Sequence, residues 1–283
     1  WSSDVCSSDL VLSTFACGGD AASDSVIRLA TVMEMLHTAT LVHDDIIDNA
    51  DVRRNRSSVN ARFGNQTAVL MGDWLYMSAF ETSLQERSLE ILDILTKLTR
   101  KMTEGELIQL TRIGRLDVTE EQYLDILLRK TAYLFSACCE IGAILAGAPT
   151  EMRTRAANYG LELGIAFQLA DDLLDITGDA STLGKEAGAD LLEGKLTLPL
   201  ILLIRERPEL RVKLEQVMFN GNYSEFARSD LLDCLRESGI LSTTTERLTA
   251  RVKQAIKNLA FLPDSEYRRC LEDICGYVTE RNK

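Results

Sequence analysis

The chain has 283 residues, 46% hydrophobic and 6% aromatic, so it can bury a large core as one or two domains. Its 31 basic and 43 acidic residues leave a net charge of −12, which gives no general positive field for a polyanion, so nucleic acid is not expected as a partner. Seven cysteines without C-x-x-C spacing favour a reducing, cytoplasmic location over a disulfide or zinc framework. No apolar run reaches the roughly 18 residues of a membrane span, so no span is predicted.

The first ten residues, W-S-S-D-V-C-S-S-D-L, are rich in serine and unlike the helical text that follows. We interpret residues 1–10 as a scar or a fragment edge and leave them out of the fold prediction. The predicted domain therefore covers residues 11–283.

Helical periodicity dominates the rest of the chain. From about Asp24 to Ile47 almost every helical face is apolar, which predicts a helix buried all round. Residues 49–63 are polar and aperiodic, contain four arginines, and predict a basic loop. Further helices are predicted over about 65–84, 88–113, 119–146 (opened by a Thr119–Gln122 capping box) and 150–176, followed by a long loop at 178–195 and four or five shorter helices beyond residue 197. No clear strand alternation is present.

Two copies of the motif D-D-x-x-D lie near the C-terminal ends of the two most apolar predicted helices. The spacing points the carboxylates of each motif to one side of its helix, where like charges need a cation to offset them. A solvated acidic helix end would explain one copy, but two copies with apolar flanks disfavour it. With only two histidines in the chain, oxygen ligands predict a hard cation, and Mg²⁺ bridging to a substrate phosphate fits best. The six carboxylates are Asp44, Asp45, Asp48, Asp171, Asp172 and Asp175.

Basic residues near the motifs are candidates for binding that phosphate. Lys130, next to Thr131, is the most informative, because it lies in an otherwise apolar stretch where an unpaired ammonium would be costly. The remaining candidates, each of which taken alone is better explained as a solvated surface charge, are Arg53, Arg54, Lys185 and Lys195.

The strings V-H-D-D-I-I-D-N-A-D-V-R-R, G-E-L-I-Q-L, K-T-A, F-Q-L-A-D-D-L-L-D and G-K-E-A-G-A-D-L-L-E-G-K closely resemble the trans-type isoprenyl (polyprenyl) diphosphate synthases. Within that family, the long-chain octaprenyl branch matches best. The resemblance implies an all-α fold, an isoprenoid-synthase-type helical bundle around a central cavity, with the two aspartate motifs facing each other at its mouth. It also implies a homodimer.

The activity implied by the resemblance is a Mg²⁺-dependent prenyl transfer. Isopentenyl diphosphate is condensed onto an allylic diphosphate to give a long-chain all-trans polyprenyl diphosphate, the precursor of a quinone side chain. A shorter-chain synthase and a non-catalytic subunit of a heteromeric synthase are the alternatives. A class I terpene cyclase is disfavoured because such enzymes carry a different second motif.

The resemblance also assigns roles by position. The six motif aspartates would hold three Mg²⁺ ions on the allylic diphosphate. The same diphosphate would be contacted by Arg53, Lys130, Lys185 and Lys195. His37 and Arg54 would bind isopentenyl diphosphate, while Thr131 and Gln168 would join Lys130 as catalytic residues with oxygens near the allylic carbons.

Product length is predicted from the residues that precede the first motif. Ala39 and Thr40 lie one turn before Asp44, and both are small. Short-chain members of the family tend to place aromatic residues here, so the resemblance implies an open tunnel and a long product, although helix packing alone would also explain the small residues. Candidates for the tunnel floor are Met33, Leu36, Trp74 and Met77.

The chain departs from the family at one element. Members carry G-G-K-R-x-R-P upstream of the first motif, whereas here the first lysine is Lys97 and Gly18-Gly19 is followed by Asp20. We therefore expect the N-terminal helices to be missing from this sequence and the isopentenyl diphosphate site to be incomplete.

Overall fold

A computed structural model of the protein describes residues 5–20, 22–53, 56–178 and 187–280, and the structural statements below concern those residues. The described chain is helical apart from one small hairpin, so the all-α prediction is confirmed. It divides into two compact units. The first comprises residues 1–100, 134–160 and 257–273, and the second comprises residues 101–133, 161–256 and 274–283. The assignment of 11–283 to one domain stays a prediction.

The first unit is built around α2 (Asp24–Ile47), whose bounds match the prediction. Ser23 caps its N-terminus by accepting a hydrogen bond from the backbone N–H of Val26. The helix packs against α1 (Val5–Ala16), which begins before residue 11 and buries Leu10 in the core.

The prediction that α2 is buried on every face is wrong at one edge, because Ile27 is 57% exposed. By length and composition α2 could cross a membrane, a property that core helices share. The prediction that the chain has no membrane span therefore stays a prediction.

Within the basic loop predicted over residues 49–63, the described residues include two short strands and a helix. Val52–Arg53 (β1) and Arg56–Ser57 (β2) form an antiparallel hairpin, and α3 (Val59–Phe63) follows it. Ser58 caps α3 by accepting a hydrogen bond from the N–H of Ala61 at 3.3 Å. The loop prediction is wrong because two-residue strands are too short to show alternation.

Helix α4 (Asn65–Ser83) packs on α2, and a 3₁₀ turn (Leu84–Glu86) leads into α5 (Leu89–Leu110). Close packing depends on Gly72, since a Cβ there would lie 2.2 Å from Nε2 of His43 on α2. A larger residue at position 72 would displace the histidine ring beside the first motif.

The helix predicted over 119–146 is divided into three segments. The Thr119–Gln122 capping box is present, α6 (Glu120–Leu127) follows it, and a π-helical turn (Leu128–Ala132) separates α6 from α7 (Tyr133–Leu145). The long helix α8 (Thr150–Thr177) carries the second motif. The remaining elements are α9 (Ala189–Leu192), α10 (Leu198–Glu206), a 3₁₀ turn (Pro208–Leu210), α11 (Arg211–Asn220), α12 (Arg228–Glu237), α13 (Ile240–Leu259) and α14 (Glu266–Glu280). The prediction of four or five helices beyond residue 197 is confirmed.

Candidate active site

The first motif occupies the C-terminal end of α2, and its three carboxylates differ in exposure. Asp45 is buried, Asp44 is half-buried, and Asp48 is exposed. Nε of Arg53 on the hairpin donates to Oδ1 of Asp45 at 2.7 Å, and Nη2 lies 2.7 Å from the same oxygen in an ion pair. Because the hairpin brings this guanidinium to the helix end, a cation compensates the most buried carboxylate of the motif.

Hydrogen bonds to main-chain oxygens close the same helix end. Asn60 on α3 donates from Nδ2 to the carbonyl oxygens of Asp45 (3.3 Å) and Ala50 (3.1 Å), and the N–H of Ala50 donates to Asp45 O at 2.9 Å. These bonds satisfy carbonyls that a helix C-terminus leaves without partners. The hairpin and α3 therefore fix the backbone from which the first motif projects.

The predicted chain-length residues lie one turn earlier on α2. Ala39 is fully buried, and Thr40 is half-buried with its hydroxyl donating to the carbonyl of His37 at 2.7 Å. His37 itself is half-buried.

The four floor candidates separate into two groups. Met33 and Leu36 are buried, whereas Trp74 and Met77 are 62% and 64% exposed. The floor prediction is wrong for Trp74 and Met77, because side chains so open to solvent do not close a cavity within the described chain.

Two predicted site residues, Arg54 and Lys185, lie outside the described residues. Their assignment to substrate binding stays a prediction.

The second unit contains a cavity of about 180 Å³ that collects most of the residues predicted around the second motif. Its apolar wall includes Val118, Ile126 and Leu127. Five residues predicted from the sequence line it: Lys130, Thr131, Gln168, Asp172 and Lys195. Residues from α6, the π-helical turn, α8 and the segment after α9 therefore meet around one space.

Neutral donors hold Asp172 inside this cavity. The hydroxyl of Tyr123 donates to Oδ2 at 2.5 Å, and Nε2 of Gln168 donates to Oδ1 at 2.9 Å. Thr131 in turn donates to Oε1 of Gln168 at 3.0 Å, which orients the amide. Burial, followed by the negative charge of Asp190, raises the pKa of Asp172 to about 8.

The π-helical turn sets the position of Lys130. Its ammonium contacts the carboxylate of Glu106 and the amide oxygen of Gln109, both on α5. A Cβ at Gly105 would lie 2.7 Å from Cβ of Arg129, so α5 approaches this turn closely. The G-E-L-I-Q-L string thus supplies the glycine, the carboxylate and the amide that hold the predicted catalytic lysine.

Lys195 belongs to the turn after α9. Its ammonium pairs with Glu193 at 2.8 Å, and its N–H donates to the carbonyl of Asp190 at 2.8 Å. The main chain is anchored through Gly194, whose carbonyl accepts from the N–H of Gly114 at 2.9 Å.

The C-terminal end of α8, where Asp175 lies, is held by residues from later in the chain. Nη2 of Arg228 donates to the carbonyls of Ile176 and Gly178, each at 2.6 Å. Tyr223 donates to the carbonyl of Gly188 at 2.8 Å, and the N–H of Gly188 donates to Asp175 O at 2.7 Å. Gly188 has φ +79°, and a Cβ there would meet the Tyr223 hydroxyl at 2.3 Å.

Sequence reasoning missed several residues of this arrangement. Tyr123 follows the capping box and reads as an ordinary core aromatic, and Arg228 has no local signal, since its partners are about 50 positions away. Glu106 and Gln109 lie in a string that carried the family resemblance, so that string was the signal available for them. Arg112 also lines the cavity.

The oxygen ligands of the two motifs fit Mg²⁺. Within the described residues, no three His, Cys, Asp or Glu side chains come together as a complete metal site. Mg²⁺ usually takes only one or two carboxylates from a protein and completes its octahedron with water and substrate phosphate. Two motifs of hard carboxylate oxygens, without imidazole or thiolate among them, fit that mode of binding.

Comparison with known proteins identifies the family. The sequence model of the polyprenyl synthetase family matches residues 8–233. The chain belongs to the polyprenyl synthetase family. The family predicted from the sequence is confirmed, and with it the enzyme class, a prenyltransferase.

Curated relatives support this membership of the polyprenyl synthetases. The chain is 37% identical to the octaprenyl diphosphate synthase of Escherichia coli K12 over 258 residues, covering 91% of this chain and 80% of that protein. It is 39% identical to an all-trans-nonaprenyl-diphosphate synthase of Rhodobacter capsulatus over 272 residues, covering 96% of this chain and 82% of that one.

Solved structures give the same result. A decaprenyl diphosphate synthase from Rhodobacter capsulatus superposes with a TM-score of 0.92 at 34% identity, covering 99% of this chain and 86% of that chain. A polyprenyl synthase from Caulobacter crescentus, complexed with calcium and isoprenyl diphosphate, also gives 0.92 at 35% identity, covering 100% and 86%. The predicted isoprenoid-synthase-type fold is thus confirmed.

Proposed function

We propose that this polyprenyl synthetase is a Mg²⁺-dependent trans-prenyltransferase that condenses isopentenyl diphosphate onto an allylic diphosphate. The product is a long-chain all-trans polyprenyl diphosphate, a precursor of a quinone side chain. The observation that carries the proposal is the cavity of the second unit, where Lys130, Thr131, Gln168, Asp172 and Lys195 line one space. The octaprenyl and nonaprenyl synthases among the relatives support the long-chain product, and no observation favours a shorter product or a non-catalytic subunit.

The chain's cations bind and orient the allylic diphosphate in this proposal. Lys130 and Lys195 would contact its oxygens from the cavity wall, and Arg53 would contact them beside the first motif. Lys185, which follows the second motif in the sequence, would contact the same diphosphate. When bound, Mg²⁺ neutralises the negative charge that develops on the leaving diphosphate. The six motif aspartates would hold the three ions, and His37 and Arg54 would bind isopentenyl diphosphate.

Polar oxygens stabilise the allylic cation that remains after the diphosphate leaves, and apolar walls protect it from water. Thr131 and Gln168 present oxygen atoms to the cationic carbons, and their mutual hydrogen bond fixes those oxygens in advance. The apolar wall excludes water, which would otherwise trap the cation. The double bond of isopentenyl diphosphate then attacks, and the proton lost passes to the released diphosphate.

Chromatography of the products made from farnesyl diphosphate and isopentenyl diphosphate tests this function. We expect long polyprenyl products from the wild type with Mg²⁺ and none after EDTA treatment. Asp44→Ala and Asp171→Ala should each lower turnover about a thousandfold or more, because several kcal/mol of charge stabilisation is lost. Asp93→Ala, which removes an exposed partner of Lys97, serves as control. Wild-type turnover in Asp44→Ala would refute the role of the first motif.

A second test concerns the tunnel beside α2. Ala39→Phe fills a fully buried position, so we expect shorter products together with an overpacking cost of about 1–3 kcal/mol in the free energy of unfolding. Thr38→Phe, at an exposed position on the same helix, is the control and should change neither quantity. An unchanged product length in folded Ala39→Phe would exclude this position from the tunnel.

The assembly and location are also part of the proposal. Leu70, Trp74 and Met77 form an apolar stripe on α4 at helical spacing, each more than 60% exposed, which suits the contact surface of a homodimer. All seven cysteines are free thiols, as expected in the cytoplasm. Sedimentation equilibrium measures whether the chain is a homodimer, and cell fractionation measures whether it is cytoplasmic.

A further inference from the structure

Arg112 is the cation of the second-unit cavity that the proposed mechanism does not use. It lines the same space as Lys130 and Lys195. Nε of Arg112 is buried and has no hydrogen-bond partner among the described residues. The two lysines differ in this respect, since Glu106 and Gln109 engage Lys130 and Glu193 engages Lys195.

The backbone around Arg112 is fixed on both sides. Its N–H donates to the carbonyl of Gln109 at 2.8 Å, in the turn that ends α5. Two residues later, the N–H of Gly114 donates to the carbonyl of Gly194 at 2.9 Å, next to Lys195. Arg112 is thereby tied to the residue that holds one cavity lysine and to the neighbour of the other.

The charged groups around the cavity leave the guanidinium of Arg112 available to bind an anion. Its two carboxylates belong to Asp172 and Asp190, and no described carboxylate forms an ion pair with Arg112. Asp172 already accepts hydrogen bonds from Tyr123 and Gln168. A half-buried guanidinium that presents several donors in a planar fork, without a partner in the part of the chain that the structure describes, matches the oxygens of a phosphate group better than an ammonium does.

We infer that Arg112 is a further binding residue for the diphosphate of the allylic substrate, acting beside Lys130 and Lys195 at the wall of this cavity. The inference rests on the proposed function for the identity of the substrate. The affinity of Arg112 for a diphosphate anion can be measured with inorganic pyrophosphate, in the absence of turnover.

Arg115 provides a matched control in the same turn. It has the same charge and lies three residues away, but it is exposed and pairs with Asp117 through two hydrogen bonds of 2.9 and 2.7 Å. Arg115→Gln and Arg112→Gln thus remove the same charge from neighbouring positions. Arg112→Lys keeps the charge and removes the fork.

The experiment is calorimetric titration of the full chain with inorganic pyrophosphate, in EDTA and again with Mg²⁺, followed by steady-state kinetics with farnesyl diphosphate. We expect pyrophosphate affinity to fall about tenfold in Arg112→Gln and about threefold in Arg112→Lys, and to stay within about twofold in Arg115→Gln. KM for farnesyl diphosphate should rise by similar factors while kcat changes less than about threefold.

The inference is overturned if folded Arg112→Gln binds pyrophosphate as tightly as the wild type, or if Arg115→Gln loses as much affinity, because a general field would then explain the effect. If circular dichroism shows that Arg112→Gln is unfolded, Arg112→Lys decides in the same way, and unchanged affinity there refutes the forked contact. Weakened pyrophosphate binding in Arg112→Gln without any prenyl transfer by the wild type would support the anion site and refute the proposed function.

Discussion

The two aspartate motifs have the same residue pattern, yet the structure compensates their buried carboxylates by different means. Asp45 in the first motif is held by the guanidinium of Arg53, a charged partner that is 36% exposed. Asp172 in the second motif is held by the neutral donors Tyr123 and Gln168. A motif thus specifies the spacing of its carboxylates, while residues elsewhere in the chain determine how their negative charge is compensated.

Asp9 on α1 is a buried carboxylate outside both motifs, and it has neither a charged partner nor a neutral donor among the described residues. Neither of its oxygens has a hydrogen-bond partner among the described residues. Burial, followed by the charge of Glu34, raises the pKa of Asp9 to about 8. Asp9 lies in the segment that we left out of the predicted fold, and its burial there without a hydrogen-bond partner opposes folding at neutral pH.

The largest effect on stability is therefore expected from Asp9→Asn. The folded pKa lies above the unfolded value of 3.8, so the contribution of Asp9 is fully favourable below about pH 4 and is lost as pH rises to about 8. Asn does not titrate, so the variant should exceed the wild type by on the order of a few kcal/mol at pH 8 and by little at pH 4. Urea unfolding at both pH values measures this, and a difference that does not vary with pH would contradict it.

A smaller effect is expected at the helix ends that carry the motifs. Arg228→Met removes two hydrogen bonds to the last carbonyls of α8, which should cost about 2 kcal/mol in the free energy of unfolding. Asn60→Ala removes the longer amide bonds at the end of α2 and should cost about 1 kcal/mol. Hydrogen exchange should show faster opening at residues 187–190 in the first variant only. Equal losses of unfolding free energy in the two variants would contradict the prediction that Arg228 stabilises the end of α8 more than Asn60 stabilises the end of α2.

The long helices could be predicted from the sequence, because their apolar periodicity and caps are local. The bounds of α2 and the capping box at Thr119 were predicted on that basis. The π-helical turn at 128–132 could not, since a single change in hydrogen-bond register leaves the residue pattern intact.

The candidate site was predictable only in part, for the same reason. The motif aspartates and Lys130 could be identified because they are charged residues in apolar segments of the sequence. Tyr123 and Arg228 could not, because each acts on a residue about 50 positions away in the sequence. Those contacts depend on tertiary packing, which residue spacing does not encode.

The smallest effects on the free energy of unfolding are expected from two substitutions that remove, respectively, the charged partner of Asp45 and a neutral donor of Asp172. Arg53→Met removes a half-exposed cation from Asp45, and solvent screening limits the cost to about 1 kcal/mol. Tyr123→Phe removes a neutral donor from Asp172, at a similar cost of about 1 kcal/mol. The salt dependence of the unfolding free energy distinguishes the two variants. Salt screens the Arg53–Asp45 ion pair of the wild type. The hydrogen bond from Tyr123 joins an uncharged hydroxyl to Asp172, whose pKa is raised to about 8, so salt should affect it little.

We therefore expect the destabilisation by Arg53→Met to shrink by about half between 0.05 and 1 M NaCl, and that of Tyr123→Phe to stay constant. Urea unfolding at pH 7 in EDTA measures both without interference from divalent ions. Thr40→Ala, which removes a local hydroxyl bond on α2, is an uncharged control for Arg53→Met. If the cost of Tyr123→Phe falls with salt as steeply as that of Arg53→Met, then Asp172 is ionised in the folded protein, and the two motifs bear their charge in the same way.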